Sequence, residues 1–131
     1  MARLILDTTF LVSAERRRAP LDDVVGDADD VALAAITAAE LLVGVELADP
    51  ARRDARERFV SDVLDSVPVE DYDLTVAREH AKLLAHTRRT GRPRGAHDLI
   101  IAATASATDR TVVTADVTGF ADLPGISVRG A

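Results

Sequence analysis

The chain contains no cysteine and no tryptophan, one tyrosine and three phenylalanines. Its single lysine is Lys82; every other basic residue is arginine. Without cysteine there are no disulfides and no thiolate metal centre, and the composition suits a reducing interior. Aromatic residues make up only 3% of the chain, too few for stacking on exposed bases to be the main mode of binding. No apolar run is long enough to span a membrane. The first apolar stretch is interrupted by Asp7 and followed by Arg16-Arg17-Arg18, the reverse of a secretory signal. A cytoplasmic location without a membrane partner is therefore expected. The net charge of −6, from 16 basic and 22 acidic residues, argues against a general nucleic-acid binder working by overall charge.

What is present is enough apolar material for one core: 47% of 131 residues, expected to form a single domain over 1–131. Arg3–Asp7 reads as a short buried strand. Thr8–Arg18 reads as a helix with Phe10, Leu11 and Ala14 at helical spacing, stopped by Pro20. An acidic connection over Asp22–Asp30 precedes a second strand, Val31–Ala35. Thr37–Ala48 and Ala51–Ser66 read as helices broken apart at Asp49-Pro50, forming an αα-hairpin. Val67–Val69 is a third strand, placed near an edge by Pro68. Asp73–Thr90 is a long amphipathic helix and Thr90–Gly95 a loop. Asp98–Thr108 is a helix apolar nearly all round. Thr111–Thr114 and Ile126–Val128 complete the strands. Alternating strands and helices argue an α/β domain with a parallel sheet covered on both faces.

Four carboxylates stand alone in apolar segments: Asp7 after Leu4-Ile5-Leu6, Glu40 in Ala38-Ala39-Glu40-Leu41-Leu42, Asp98 before Leu99-Ile100-Ile101, and Asp116 after Val112-Val113-Thr114-Ala115. Each alone has a capping explanation. Asp7 and Asp98 could be N-caps, Thr37-x-x-Glu40 fits a capping box, and Asp116 could be a turn residue. Together they point elsewhere. In an open parallel sheet, strand ends and helix starts share the edge where ligands bind. Four acids gathered there would repel and raise one another's pKa values unless a cation joined them. An oxygen-only set, with no cysteine and no histidine pair, suits Mg²⁺ or Mn²⁺. Setting these four aside leaves 18 acidic residues against 16 basic ones, so the overall sign does not exclude an anionic substrate.

The series Leu6-Asp7-Thr8-Thr9, Ala38-Ala39-Glu40-Leu41, His97-Asp98-Leu99-Ile100-Ile101-Ala102-Ala103 and Thr114-Ala115-Asp116-x-x-x-Phe120 resembles the PIN-domain ribonucleases, and within them the VapC toxins of type II toxin–antitoxin modules. The likeness covers essentially the whole chain. It implies a three-layer domain whose central parallel sheet of about four to five strands is flanked by helices. It implies an endoribonuclease dependent on Mg²⁺, with Mn²⁺ as the alternative, which hydrolyses RNA phosphodiesters by metal-activated water and inhibits translation. The expected partners are an RNA substrate (tRNA or rRNA), a cognate VapB-type antitoxin and a second copy of the chain, with DNA reached only through the antitoxin. Carried over by position, Asp7, Glu40, Asp98 and Asp116 are the catalytic and metal-binding acids. Thr9 and Thr114 match polar positions whose hydroxyls could support the carboxylates or metal waters, or serve ordinary strand-end and helix-start chemistry. One departure is Gly119, where relatives often carry a further acid; a fifth acidic contribution and a filled second metal site are thereby put in question.

Arg88, Arg89, Arg92 and Arg94 crowd the stretch before Asp98. They read either as solvated cations at a helix C-terminus or as a phosphate clamp at the mouth of the site. The clamp is preferred, because the rest of the chain offers few other places for RNA. Arg16-Arg17-Arg18 reads as a solvated helix end, His80 as a helix-surface residue, and His97 as a neighbour of Asp98 able to touch substrate. Gly44 reads as a site of close helix packing. The apolar stretch Leu41–Leu47 reads as core, or as a surface that receives an antitoxin segment. A receiver or haloacid-dehalogenase-type phosphotransfer domain also places Asp after its first strand. The first needs an acidic pair there and a lysine after the last strand, the second Asp-x-Asp, and neither pattern is present. A rival from the binding class is a PIN-like co-repressor that acts with its antitoxin and has little nuclease activity.

Overall fold

The computed structural model describes residues 1–18 and 29–130. The stop expected at Pro20 and the connection expected over 22–28 lie outside the described residues. In chain order the elements are β1 (Arg3–Leu6), α1 (Thr8–Arg16), β2 (Asp30–Ala34), α2 (Ala35–Glu46), α3 (Pro50–Ser66), β3 (Val69–Glu70), α4 (Leu74–Thr90), α5 (Ala96–Thr108), β4 (Thr111–Thr114), a 3₁₀ turn (Val117–Gly119) and β5 (Val128–Gly130). The five strands lie in the order β3-β2-β1-β4-β5, and every neighbouring pair is parallel. The expected α/β parallel sheet is thus what the chain forms.

Alternation along β1 builds three layers. Leu4 and Leu6 turn to one face and pack with Phe10 and Leu11 of α1, Leu41 of α2, and Val60 and Val63 of α3. Ile5 turns to the other and packs with Val76 and Leu83 of α4 and with Leu99 and Ile101 of α5. Strand β1 is central, and the chain leaves it in both directions, to β2 and β3 on one side and to β4 and β5 on the other. The β1/β4 boundary is therefore the point where strand order reverses, the customary place for a ligand crevice in such sheets. No helix among the described residues is long and apolar enough to cross a membrane.

Several boundaries differ from the sequence reading, each for a local reason. Helix α1 ends at Arg16, with Arg17 as its cap. Strand β2 starts at Asp30 and passes directly into α2 at Ala35, through an extended Ala34 that offers no side-chain cap. Pro50 opens α3 rather than merely breaking α2, since the first helical position needs no N–H; Asp49 caps it through the Arg52 N–H at 3.1 Å. Strand β3 falls at Val69–Glu70 and forms one edge of the sheet. Pro68 still serves the ladder through its carbonyl, which accepts from the Leu33 N–H at 2.9 Å. Asp73 is the N-cap of α4, bonded to the Val76 N–H at 2.9 Å, and Gly91, in left-handed conformation at φ 65°, ends that helix. A Cβ added at Gly44 would meet only the Arg56 side chain, at 3.5 Å, so close packing does not require glycine there.

Arg110, just before β4, ties four strands together. Its Nη1 donates to the Leu4 carbonyl at 3.2 Å, to the Asp30 carbonyl at 2.9 Å and to Asp30 Oδ1 at 3.0 Å, while Nη2 donates to Glu70 Oε1 at 3.1 Å. The guanidinium is buried whereas both carboxylates are partly solvated, so the loss on truncation falls below that of a fully buried pair. Arg110→Ala should lower unfolding stability by about 2 kcal/mol, read as a lower urea midpoint at unchanged slope; a midpoint equal to that of the parent would refute this role.

Candidate active site

The three residues that follow β1 organise the site. Asp7 is 2% exposed. Its Oδ1 accepts from the Thr8 backbone N–H at 2.7 Å, and its Oδ2 accepts from the hydroxyls of Thr9 and Thr114, each at 2.7 Å. It therefore caps α1 as the sequence allows, but the cap uses one oxygen only. Thr8 turns its hydroxyl away and donates to Glu40 Oε1 at 2.8 Å. Thr9 and Thr114 thus support the Asp7 carboxylate, and Thr114 also accepts the Asp116 N–H at 3.0 Å. Asp116 caps the 3₁₀ turn, its Oδ1 accepting from the Thr118 N–H at 3.2 Å.

Two capping explanations do not hold. Helix α2 starts at Ala35, which puts Glu40 in its second turn, beyond reach of a capping box. Helix α5 starts at Ala96 with Gly95 as N-cap, so Asp98 is its third residue and caps nothing. Freed from the backbone, Glu40 pairs with Thr8 and faces His97, whose Nδ1 lies 3.2 Å from Glu40 Oε2. Asp98 is half-buried, and burial raises its pKa above the ordinary carboxylate value. The charges of Asp7, Glu40 and Asp116 raise it further, and His97 partly offsets them. Three separate segments thus bring Asp7, Glu40 and Asp116 within electrostatic reach of Asp98.

Gly119 has a clear spatial role. A Cβ there would lie 2.8 Å from Asp98 Oδ2, and one at Gly95 would lie 3.4 Å from the same atom. Two side-chain-free walls therefore make room for the Asp98 carboxylate. An acid at 119 would require Asp98 to turn away.

Asp7, Glu40 and Asp98 line a cleft of about 650 Å³ together with Thr8, Thr9, Val12, Ser13, Arg16, Arg17 and Ala115. Sequence reading missed Thr8, Ser13, Arg16 and Arg17. The spacing of Thr9, Val12, Ser13 and Arg16 places them on one face of α1, opposite the buried Phe10, Leu11 and Ala14, and that periodicity was the available signal. The other arginines lie elsewhere. Arg88 and Arg89 are exposed on the last turn of α4. Arg92 and Arg94 line a second cleft, of about 440 Å³, which shares no lining residue with the first. His80 lies on α4 and pairs with the Tyr72 hydroxyl at 2.8 Å.

The acidic cleft offers oxygen donors only, which fits a hard divalent cation. Among the described residues no three acidic or histidine groups converge into a ready coordination shell. A cation of the Mg²⁺ type, which keeps several waters and takes one or two carboxylates, matches so open a set.

The PIN domain profile matches residues 4–126. The chain is 37% identical to the ribonuclease VapC5 of Mycobacterium tuberculosis over 125 residues, covering 92% of this chain and 87% of that protein. It superposes on a member of the VapBC family of toxin–antitoxin systems, VapBC-5 of the same organism, with a TM-score of 0.81, 28% identity and full coverage of both chains. The fold also matches that of VapBC2 from Rickettsia felis, solved with a promoter DNA fragment, at a TM-score of 0.88 and 21% identity over 98% of each chain.

Two substitutions test the contrast between the two aspartates in protein held in EDTA. A carboxyl whose folded pKa is raised contributes stability while protonated and loses it as pH rises through that pKa, so ionised Asp98 is a net cost at neutral pH. Asp98→Asn should therefore raise the melting temperature at pH 7.5 by a few degrees, with the gain shrinking as the pH is lowered towards the ordinary carboxylate range. Thr114→Val should do the opposite, costing about 1–3 kcal/mol, because it leaves a buried carboxylate short of a donor. Melting curves that moved the other way in either variant would contradict this picture of the site.

Proposed function

The chain belongs to the PIN-domain family, and from that premise we propose that it is a metal-dependent endoribonuclease, the toxin of a toxin–antitoxin pair, which inhibits translation by cutting RNA. The observation that carries this reading is the gathering of Asp7, Glu40 and Asp116, from three separate segments, within electrostatic reach of Asp98 on a fourth, with Asp7 at the β1/β4 switch point. A structural cluster would spread such charges or pair them with cations of the protein. Here the two that cap nothing, Glu40 and Asp98, face the cleft.

Asp7 and Asp98, with Asp116 and Glu40 beside them, would hold Mg²⁺ or Mn²⁺. When bound, such a cation supplies Lewis acidity that lowers the pKa of water and offsets charge building on the phosphate. Asp7 is the fixed member, its carboxylate oriented by Thr9 and Thr114. Glu40, held at one oxygen by Thr8 and with the other on the His97 side, would orient the attacking water or accept its proton. In-line attack on the phosphodiester would leave a 5′-phosphate and a 3′-hydroxyl.

A VapB-type antitoxin is the proposed partner, supported by the 28% identical structural neighbour from a VapBC toxin–antitoxin system. A homodimer that joins it in a hetero-oligomer, and contact with DNA only through the antitoxin, complete the proposal. The RNA expected is a tRNA or rRNA.

Incubation of the purified protein with total RNA should yield discrete fragments with 5′-phosphate ends in Mg²⁺ or Mn²⁺ and none in EDTA. Asp7→Asn and Asp98→Asn should each lower the cleavage rate by at least about 100-fold, a loss of roughly 2.7 kcal/mol of transition-state stabilisation, while circular dichroism stays unchanged. Equal rates in both variants, or cleavage indifferent to EDTA, would defeat the assignment.

A further inference from the structure

The second cleft has basic walls that the acidic site does not use. It is lined by His86, Thr87 and Thr90 of α4, by Arg92 and Arg94 of the following loop, and by Asp122 and Leu123. Arg94 Nη2 donates to the Ala121 carbonyl at 2.8 Å and Nη1 to the Pro93 carbonyl at 3.4 Å, which fixes the guanidinium, while its Nε is buried with no hydrogen-bond partner. Each terminal nitrogen of a guanidinium carries two N–H groups, so a guanidinium held through one on each side keeps a second on each for an anion. Arg92 meets only Asp122, at a loose 3.9 Å, with both side chains more than 70% exposed. Such a pair is worth little and is readily exchanged for a stronger acceptor.

Position links this cleft to the acids. Its two walls are the direct extensions of the segments that seat Asp98: Arg94 precedes Gly95, and Ala121–Leu123 follow Gly119 and Phe120. Gly95 and Gly119 both border Asp98 Oδ2, so each wall of the second cleft begins within a few residues of a backbone that touches the Asp98 carboxylate. We infer that this second cleft seats a phosphodiester group of the RNA strand flanking the bond to be cut, with Arg94 as the fixed donor and Arg92 released from Asp122 to join it. This deepens the ribonuclease reading and rests on it for the identity of the strand.

Binding of a mixed-sequence single-stranded RNA oligonucleotide, followed by fluorescence anisotropy in EDTA across a salt series, separates the two claims. Arg94→Gln and Arg92→Ala should each weaken binding several-fold at low salt. Each should also reduce the salt slope, and the double variant should reduce it by about 0.7, the value for one phosphate of a single strand. Asp122→Asn should tighten binding, and Arg58→Ala, on the exposed face of α3, should change nothing. The Arg92 side chain is exposed and meets Asp122 loosely, and its backbone N–H bond to Thr87 survives truncation to alanine, so this variant serves if Arg94→Gln unfolds. Wild-type slopes in both arginine variants overturn the inference, and Mg²⁺-dependent cleavage in the same samples would then leave the nuclease reading standing. Lost binding in the variants, with no cleavage by wild type in any divalent cation, would sink the nuclease reading alone. The His86 ring resonances should shift with the oligonucleotide; a shift with inorganic phosphate only would mark the cleft as a site for free phosphate and overturn the proposal.

Discussion

Burial of the Asp7 carboxylate at the end of the central strand is the constraint around which the rest is arranged. A charge taken out of water must recover its hydrogen bonds from the protein, and here the donors come from both sides of the switch point. Thr8 and Thr9 supply theirs from α1, and Thr114 supplies its own from the end of β4. The same residues pass order outward. Thr8 also fixes Glu40 on α2, Thr9 accepts the Ala115 N–H at 3.3 Å, and Thr114 accepts the Asp116 N–H. Three consecutive residues after β1 and one at the end of β4 therefore set three of the four acids without help from any ligand.

Asp98 is the exception, and that difference has chemical content. Its raised pKa comes from burial and from the other acids, with no hydrogen bond among the causes. Glycine walls at 95 and 119 leave its carboxylate room but give it no side-chain support. A protein that bonds one carboxylate fully and leaves another against like charges has accepted instability at one defined point. Such local violations of good folding practice are expected where function, not stability, was the criterion.

How much of this was legible from the sequence depended on how directly each feature is encoded. Strand β1 and helix α5 carry the apolar runs Leu4–Leu6 and Leu99–Ala103, and buried elements of an α/β domain read that way. The acids were legible because a carboxylate is conspicuous in such runs. The start of α2 was not, since Ala34 turns from strand to helix without a capping side chain, and capping residues are what mark helix starts in sequence. That one boundary decided whether Glu40 was a cap or a free carboxylate. Arg16 and Arg17 are the exposed helix end that the run of arginines suggests, and what the run did not disclose is that this end of α1 also borders the cleft. The arginines nearest Asp98 in sequence line a different cleft, because α5 begins at Ala96 and Arg94 is tied to Ala121.

The net charge of −6 is a poor guide to the site. Among the residues lining the first cleft, three acids stand against two arginines, so the empty cleft would repel a phosphate. On the nuclease reading, a divalent cation reverses that sign, and the same two arginines then add to the attraction instead of partly cancelling a deficit. Substrate affinity at the acids would be conditional on the cation, whereas a cleft walled by Arg92 and Arg94 would draw the strand whether or not the cation is present. On the same reading, dividing the positive charge between two places would let an acidic protein hold a polyanion while keeping the reacting phosphate away from the acids until the cation has joined them.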